Sequence, residues 1–299
     1  MRELHSEALL ARFDDGTEAV APLTWRARAG GLFRTAFSSP AETFGGWISS
    51  DELRPEHQDA LVDALLRWTG NLKWKLNPFD PSTPRHLHRA TEFDETLAID
   101  LDDGFDAVRR RWTKGHRSGA RKAERLGVTV RLAQGAGDWA AYESITAHSE
   151  RRWGEGRLLI PRPAGLFAAL AGQPGVRLWL AEHDGRAVAG ALCLESPGHI
   201  AYWHGAALDD AFGMRPVNLL LQEAIRDACE RPGVTWFDMG SSGPLDGVRA
   251  FKKSFGAQPL PCPSVRLETG LRRVVRSPGR ATAWLRERGA RGVANSPSS

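Results

Sequence analysis

Residues 248–256, with the sequence VRAFKKSFG, are the segment best suited to chemistry. At helical spacing they form an apolar face of Val248, Phe251 and Phe255. Lys253 falls opposite that face, where a solvated charge is expected, whereas Lys252 falls at the border between core and solvent. A border lysine can meet a phosphate or ester oxygen without being buried outright. Only six of the 40 basic residues are lysines, so we predict that Lys252 is a catalytic residue. Lys253 is a candidate for binding the donor, meaning the substrate from which a chemical group is transferred.

The preceding segment, residues 238–243 (DMGSSG), joins a predicted strand to the start of this helix. Exposed backbone N–H groups at such a position favour anions, and glycine permits close approach. Ser241 and Ser242 are therefore predicted to bind the donor, and Asp238 is a candidate proton acceptor. An ordinary connecting loop, in which Asp238 only caps the turn, is the alternative.

Tyr202, Trp203 and His204 end another predicted strand. His204 can act as a general base near neutrality, and Tyr202 and Trp203 can bind the acceptor. Alternation along a strand places Tyr202 and His204 on one face and Trp203 on the other. The alternative for His204 is a structural, hydrogen-bonded histidine.

Residues 153–157 (WGEGR) form a predicted loop at the end of a helix. Its aromatic floor and its arginine make Trp153 and Arg157 candidates for acceptor binding. A simple helix-ending turn is the alternative.

The chain of 299 residues has a formal net charge of +4, but the charge is unevenly distributed. Residues 109–125 hold eight basic residues and one acidic residue, and residues 271–299 hold seven and one. If the first segment is one helix, it carries a stripe at positions i, i+4, i+7 and i+11, formed by Arg110, Lys114, Arg117 and Arg121. Such a stripe suits RNA phosphates. A solvated basic face is the alternative, since arginine is abundant throughout the chain.

Composition and missing motifs exclude several classes of protein. Hydrophobic residues make up 41% of the chain, enough for a substantial core. The three cysteines lie far apart with no CxxC, so neither a disulfide framework nor a metal site is expected. The motifs of dinucleotide oxidoreductases, P-loop NTPases, zincins and serine hydrolases are missing. No signal peptide and no apolar run long enough to span a membrane is visible, so we expect a cytoplasmic protein.

Predicted elements are most regular after residue 127. Strands and helices follow in the order β-α-α-β-β-β-α-β-α-β, with the last strand at 258–267, which is the order of a GNAT-type N-acetyltransferase domain. Before residue 127 the pattern is irregular α/β, and a long basic helix is predicted from about 103 to 125. We therefore predict an α/β (α+β) mixed-sheet GNAT fold with two tandem lobes. The divisions are a degenerate lobe at 1–126, an acyltransferase domain at 127–268 and a basic, partly disordered tail at 269–299.

Several segments together resemble the Fem-type and BioF-like branch of the acetyltransferase superfamily. These are FKKSFGA after WFDMGSS, RSGARKAERLGVTV running into a strand, YWHGA followed by RPVNLLLQEAI, and FSSPAETFGGWIS near the N-terminus. The resemblance covers about residues 105–267 best. It implies two acetyltransferase-like lobes of which one keeps a donor groove. It also implies that Lys252 helps to stabilise developing negative charge.

One segment departs from the standard acetyltransferase pattern. Where that pattern has [QR]xxGx[GA], whose amides hold the pyrophosphate of acyl-CoA, this chain has Gly213 alone and a proline at the helix start. Asp209 and Asp210 lie nearby and would repel a pyrophosphate. Arg215 and Asn218 remain as candidate donor-binding residues.

These observations lead to an N-acyltransferase that needs no covalent enzyme intermediate, because a neutral amine is already a nucleophile. The degenerate pyrophosphate loop and the basic stripe favour aminoacyl-tRNA slightly over acyl-CoA as co-substrate, with no bound cofactor. The expected partners are tRNA and a small-molecule or peptide amine. The alternatives are an acyl-CoA-dependent N-acetyltransferase, a non-catalytic RNA-binding protein on the same scaffold, and a structural pseudoenzyme.

Overall fold

The structure is a computed structural model of the chain. It describes residues 5–28, 33–38, 43–69, 71–80, 92, 94–153, 165–243 and 245–268. These residues form a five-stranded sheet and a seven-stranded sheet. None of the helices described is long and apolar enough to cross a membrane.

The first sheet has the order β1-β2-β3-β4-β12. Its strands are β1 (His5–Arg12), β2 (Glu18–Arg28), β3 (Phe33–Phe37), β4 (Asn71–Lys75) and β12 (Ser264–Glu268). Neighbours are antiparallel except for β3 and β4. Helix α1 (Pro55–Thr69) has apolar residues spaced three and four apart, and it buries Leu61, Val62 and Leu65 in the core of this sheet.

The hairpin of β1 and β2 is the part of this sheet that the sequence analysis did not predict. The two strands pair from His5 with Trp25 to Arg12 with Glu18. Their turn contains Asp15 and Gly16, and Gly16 has a φ of 88°, which glycine adopts without a steric penalty. An Asp-Gly pair between two such runs is a known hairpin signal, so this hairpin was predictable.

The second sheet has the order β11-β5-β10-β9-β8-β7-β6. Its strands are β5 (Glu95–Asp100), β6 (Thr129–Leu132), β7 (Val176–His183), β8 (Arg186–Ser196), β9 (Gly198–Ala207), β10 (Val234–Asp238) and β11 (Gln258–Pro261). β9 and β10 are parallel and the other pairs are antiparallel. Strands β6 to β10 follow along the chain in the order that the sequence predicted.

Among the described residues, six α-helices accompany the second sheet. They are α2 (Gly104–Arg111), α3 (Lys114–Arg125), α4 (Ala136–Trp153), α5 (Leu166–Leu170), α6 (Pro216–Cys229) and α7 (Asp246–Lys253). Helix α6 connects the parallel strands β9 and β10, and its first residue is a proline, which fits a position with no intrahelical N–H bond. It contacts α3 and strands β7, β8 and β10.

The prediction of one continuous basic helix over about 103–125 is wrong. Trp112 and Thr113 adopt extended backbone conformations between α2 and α3. Trp112 is buried against Phe105 and Phe255, and this packing fixes the break. Arg110 therefore lies on a different helix from Lys114, Arg117 and Arg121, and the four residues do not form one helical stripe.

The two sheets do not divide at residue 126, where the sequence suggested a boundary. Strand β5 and helices α2 and α3 belong with the second sheet, because Leu97, Ile99 and Val108 pack in its core. The single strand predicted at 258–267 is two strands, of which β11 joins the second sheet and β12 returns to the first. Val265 of β12 is buried in the core of the first sheet. The tail at 269–299 lies outside the described residues.

Candidate active site

A cavity of about 430 Å³ opens where the parallel strands β9 and β10 separate. Pairing between them covers only Gly198–Ala201 and Val234–Asp238, after which β10 ends and β9 continues to Ala207. The cavity is lined by Thr43, Phe44, Asn77, Leu194, Ser196, His199, Ala201, Tyr202, Trp203, His204, Gly205, Asp238, Met239, Gly240, Ser241, Val248 and Lys252. Six residues that the sequence singled out therefore meet here, namely Tyr202, Trp203, His204, Asp238, Ser241 and Lys252.

A β-bulge in β9 determines which side chains share a face. Tyr202 pairs with Cys193 and His204 with Leu192, so Trp203 is an extra residue. Cys193 and Leu192 are adjacent in β8, so their partners lie on opposite faces. The prediction that Tyr202 and His204 share a face is therefore wrong, because simple alternation does not continue through a bulge.

The same bulge places His204 on the face of the sheet that carries the side chain of Asp238. Ala201 pairs with Leu194 on one side and with Asp238 on the other. Leu194 and Leu192 are two residues apart and lie on one face of β8. His204, the partner of Leu192, shares that face. Without the extra residue, His204 and Asp238 would point to opposite faces of the sheet.

Lys252 lies in the cavity wall with only 8% of its surface exposed. Its Nζ atom donates hydrogen bonds to the carbonyl oxygens of Gly240 at 3.0 Å and Ser241 at 2.7 Å. Gly240 has a φ of 76°, in the left-handed region that favours glycine. Lys253, the next residue, is exposed. The loop after β10 and the end of α7 thus hold one positive charge against the cavity.

Asp238 is buried beside that charge. Its Oδ1 atom accepts hydrogen bonds from the hydroxyl of Thr96 at 2.5 Å and from the backbone N–H of Gly240 at 2.9 Å. Burial raises the pKa of Asp238 above its usual value, while these two hydrogen bonds and the ammonium of Lys252 act in the opposite direction. Asp238 thus holds the N–H of Gly240, whose carbonyl oxygen accepts a hydrogen bond from Lys252.

His204 is oriented by a tyrosine from α4. Its Nδ1 atom lies 2.5 Å from the hydroxyl oxygen of Tyr142, which also donates to the backbone carbonyl of His204 at 3.2 Å. If the hydroxyl proton goes to that carbonyl, Nδ1 is the donor to the tyrosine oxygen and Nε2 is the basic nitrogen. Gly190 makes room for this arrangement, because a Cβ there would lie 2.4 Å from the Tyr142 ring.

Among the described residues, the predicted donor-binding residues Arg215, Asn218, Ser242 and Lys253 do not line the cavity. Asn218 is buried, with its amide nitrogen 2.8 Å from Nδ1 of His116, and Arg215 is exposed at the start of α6. Ser242 is buried behind the loop. Trp153 is the last residue of α4, and Arg157 lies outside the described residues.

In the basic segment, Arg117 has a structural contact. Its guanidinium donates to the carbonyl oxygens of Arg110 at 3.0 Å and Trp112 at 2.7 Å. Arg110, Lys114 and Arg121 are exposed. The two carboxylates near the start of α6 are also accounted for, since Asp209 pairs with Arg152 and Asp210 with Arg186.

Sequence reasoning did not single out several residues of the site. The cavity also contains Thr43, Phe44 and Asn77 from the segments beside the first sheet, together with His199 from β9. Thr96 and Tyr142 stand behind Asp238 and His204. These residues reach the site through packing between segments far apart in the sequence, so the local spacing of residues does not reveal them. Within the part of the chain that the structure describes, no group of three or more His, Cys, Asp or Glu side chains could hold a metal ion.

Comparison with known proteins identifies the class of fold. Residues 107–253 match the family profile of the acetyltransferase (GNAT) domain. The structure is similar to that of FemX, with a TM-score of 0.64, 14% identity, and coverage of 87% of this chain and 88% of that chain. It is also similar to the C-terminal domain of a putative lysylphosphatidylglycerol synthetase from Agrobacterium fabrum, with a TM-score of 0.60, 16% identity, and coverage of 88% and 84%.

A third similar structure is L-PGS from Bacillus licheniformis, with a TM-score of 0.58, 13% identity, and coverage of 88% of this chain and 84% of that chain. No curated protein matches the sequence. Residues 107–253 thus match the acetyltransferase (GNAT) domain, and the fold of the chain is GNAT/Fem-like. The predicted resemblance, the predicted mixed-sheet fold and the predicted class of enzyme are confirmed.

Proposed function

We propose that the chain moves an aminoacyl or acyl group from an activated carrier to an amine and forms an amide. The observation that carries this proposal is that Lys252 and His204 line one cavity, in a chain whose residues 107–253 match the acetyltransferase (GNAT) domain. A positive charge and a base in one cavity are what amide formation requires from a protein.

In the proposed mechanism, the amine nitrogen attacks the carbonyl carbon of the donor, and a new C–N bond forms. The carbonyl oxygen becomes negatively charged, and the ammonium of Lys252 stabilises it. His204 takes a proton from the amine. Collapse of the intermediate breaks the bond between the carbonyl carbon and the carrier oxygen or sulfur, and His204 returns the proton to that leaving atom. Asp238 and Thr96 hold Lys252 and the loop in position.

Aminoacyl-tRNA is the donor that we favour. Helix α6 begins with Pro216, which has no N–H group, and the residue before it, Arg215, is in the left-handed region with a φ of 61°. This helix start offers fewer amides to a pyrophosphate than the GNAT pattern does. The exposed cations Arg110, Lys114 and Arg121 give a second reason, since they are available to phosphates.

The second candidate is an acyl-CoA-dependent N-acetyltransferase, which the family match of residues 107–253 favours. Purified protein offered labelled aminoacyl-tRNA and labelled acetyl-CoA separately, with a panel of primary amines, distinguishes the two. The proposal expects label in an amide product from aminoacyl-tRNA, and loss of that product after RNase treatment of the donor. Transfer from acetyl-CoA that RNase does not affect would overturn the tRNA donor. Transfer from neither carrier, with salt-sensitive RNA binding intact, would indicate the non-catalytic RNA-binding alternative.

A further inference from the structure

One end of the cavity is built from aromatic rings. Phe44, beside the first sheet, lies with its ring centroid 6.2 Å from that of His199 on β9. Phe79 stacks on His199 at 4.3 Å and contacts Phe44 edge-on at 5.8 Å. Trp236 of β10 lies 6.0 Å from Phe79 behind them. Phe44 and His199 face the cavity.

This aromatic end carries no charge near neutral pH. His199 is 3% exposed, and burial lowers its pKa to about 4, so its ring is neutral. Asp238 is the only carboxylate among the described residues that line the cavity, and its Oδ1 atom already accepts two hydrogen bonds. The ammonium of Lys75 lies 5.6 Å from the centroid of the Phe44 ring and is paired with Asp94.

The aromatic end and the proposed reaction centre line one cavity and share one face of the sheet. His199 precedes Ala201 by two residues, and Ala201 pairs with Asp238. Two residues of a strand span about 7 Å, and residues two apart lie on one face. A group on the acyl chain of a carbonyl held beside Lys252 would therefore extend along this face of β9 toward His199.

We propose that the end of the cavity formed by Phe44 and His199 binds an uncharged, apolar side chain of the transferred acyl group and selects against a cationic one. The inference rests on the proposed acyl transfer. An apolar side chain would leave water for aromatic contacts. A cationic side chain would leave water for uncharged rings with the ammonium of Lys75 nearby, and the one lining carboxylate, Asp238, already accepts two hydrogen bonds.

The test is single-turnover transfer from one carrier that bears phenylalanyl, leucyl, alanyl or lysyl groups. If acyl-CoA proves to be the donor, phenylacetyl-, hexanoyl-, acetyl- and β-alanyl-CoA replace them. We expect phenylalanyl and leucyl transfer to be at least about 30-fold faster than lysyl transfer at subsaturating donor, within the range that a pocket of this kind provides.

Phe44→Ala should lower the ratio of phenylalanyl to alanyl transfer about tenfold or more. Phe44→Leu should recover part of the loss. Phe13→Ala is the control, because Phe13 is also partly buried beside the first sheet but contacts His57 away from the cavity. It should leave the order of the four acyl groups unchanged.

Each outcome has a separate meaning. No transfer of any acyl group from either carrier would refute the proposed function itself. Transfer in which the lysyl group is as fast as the phenylalanyl group would overturn this inference and leave the proposed function standing. If Phe44→Ala changes the preference among amines and not among acyl groups, the acceptor occupies this end, and the inference is also overturned.

Discussion

At the scale of single residues, Lys252 occupies an environment in which lysine is uncommon. Its ammonium is withdrawn from water, and two backbone carbonyls and the nearby carboxylate of Asp238 compensate for the lost solvation. Lys253, one residue further, points to solvent. The helical wheel separated these two lysines correctly, although it placed Lys252 at the border and not inside, because a wheel does not show the loop that closes over the helix.

His199 provides a residue-scale prediction about stability and pH. Burial holds the pKa of His199 at about 4 in the folded protein, whereas the pKa of a solvent-exposed histidine is about 6.5. The unfolded state therefore binds more protons between these values, and the stabilisation present above pH 6.5 is lost as the pH falls toward 4. At pH 5 this amounts to about 2 kcal/mol.

His199→Gln removes this titration. We expect urea unfolding of the wild type to lose about 2 kcal/mol more than the variant does between pH 7.5 and pH 5. The shift of His116 has the same direction but is common to both proteins and cancels in the comparison. Parallel losses in the two proteins would show that His199 is not a buried neutral histidine.

At the scale of elements, the break between α2 and α3 places Arg117 where it can donate hydrogen bonds to the end of α2, a contact that its sequence position does not suggest. Its guanidinium reaches back to two carbonyl oxygens at the end of α2. Arg121, on the same helix, is exposed. Arg117 and Arg121, which looked equivalent in a basic stripe, therefore differ, because Arg117 bonds to backbone carbonyls and Arg121 is exposed to solvent.

We expect Arg117→Met to lower the free energy of unfolding by about 1–2 kcal/mol, because both carbonyls lose a charged donor. Arg121→Met should change it by less than about 0.5 kcal/mol, as is usual for an exposed side chain. Urea denaturation of both variants at one pH provides the measurement. Equal effects would contradict the assigned contacts of Arg117.

Elements that obey a local period were predicted well, and elements shaped by long-range packing were not. Helix α1 and strands β7 to β10 follow from apolar spacing and from turns such as Asp184-Gly185. The break at Trp112 depends on Phe255, more than a hundred residues away. Likewise, the bulge at Trp203 follows from pairing with β8, and so the face of His204 could not be read from β9 alone.

At the scale of the whole molecule, the cavity draws on both sheets. Phe44 and Asn77 come from the segments around the first sheet, and Lys252 and His204 come from the second. Strand β12 returns the chain to the first sheet after α7 has been completed. A boundary drawn along the sequence misses this exchange, although six of the predicted site residues line the cavity.

The basic surface of α2 and α3 yields a prediction at this scale. If tRNA is the donor, changing Arg110, Lys114 and Arg121 together to glutamine should weaken its binding and reduce the slope of log Kd against log salt by about 2–3. The same number of exposed arginines elsewhere, Arg12, Arg54 and Arg186, serves as the control. An unchanged slope in the first variant would remove this surface from donor binding.

The central claim is that acyl transfer takes place beside the buried ammonium of Lys252. The most direct measurement is the single-turnover rate of amide formation by Lys252→Met and Lys253→Met, each shown by urea unfolding to be folded. Loss of a preorganised charge at a developing oxyanion costs about a hundredfold or more in rate. We predict a rate at least about a hundredfold below wild type for Lys252→Met and within about twofold of wild type for Lys253→Met. A folded Lys252→Met that transfers as fast as Lys253→Met would contradict it.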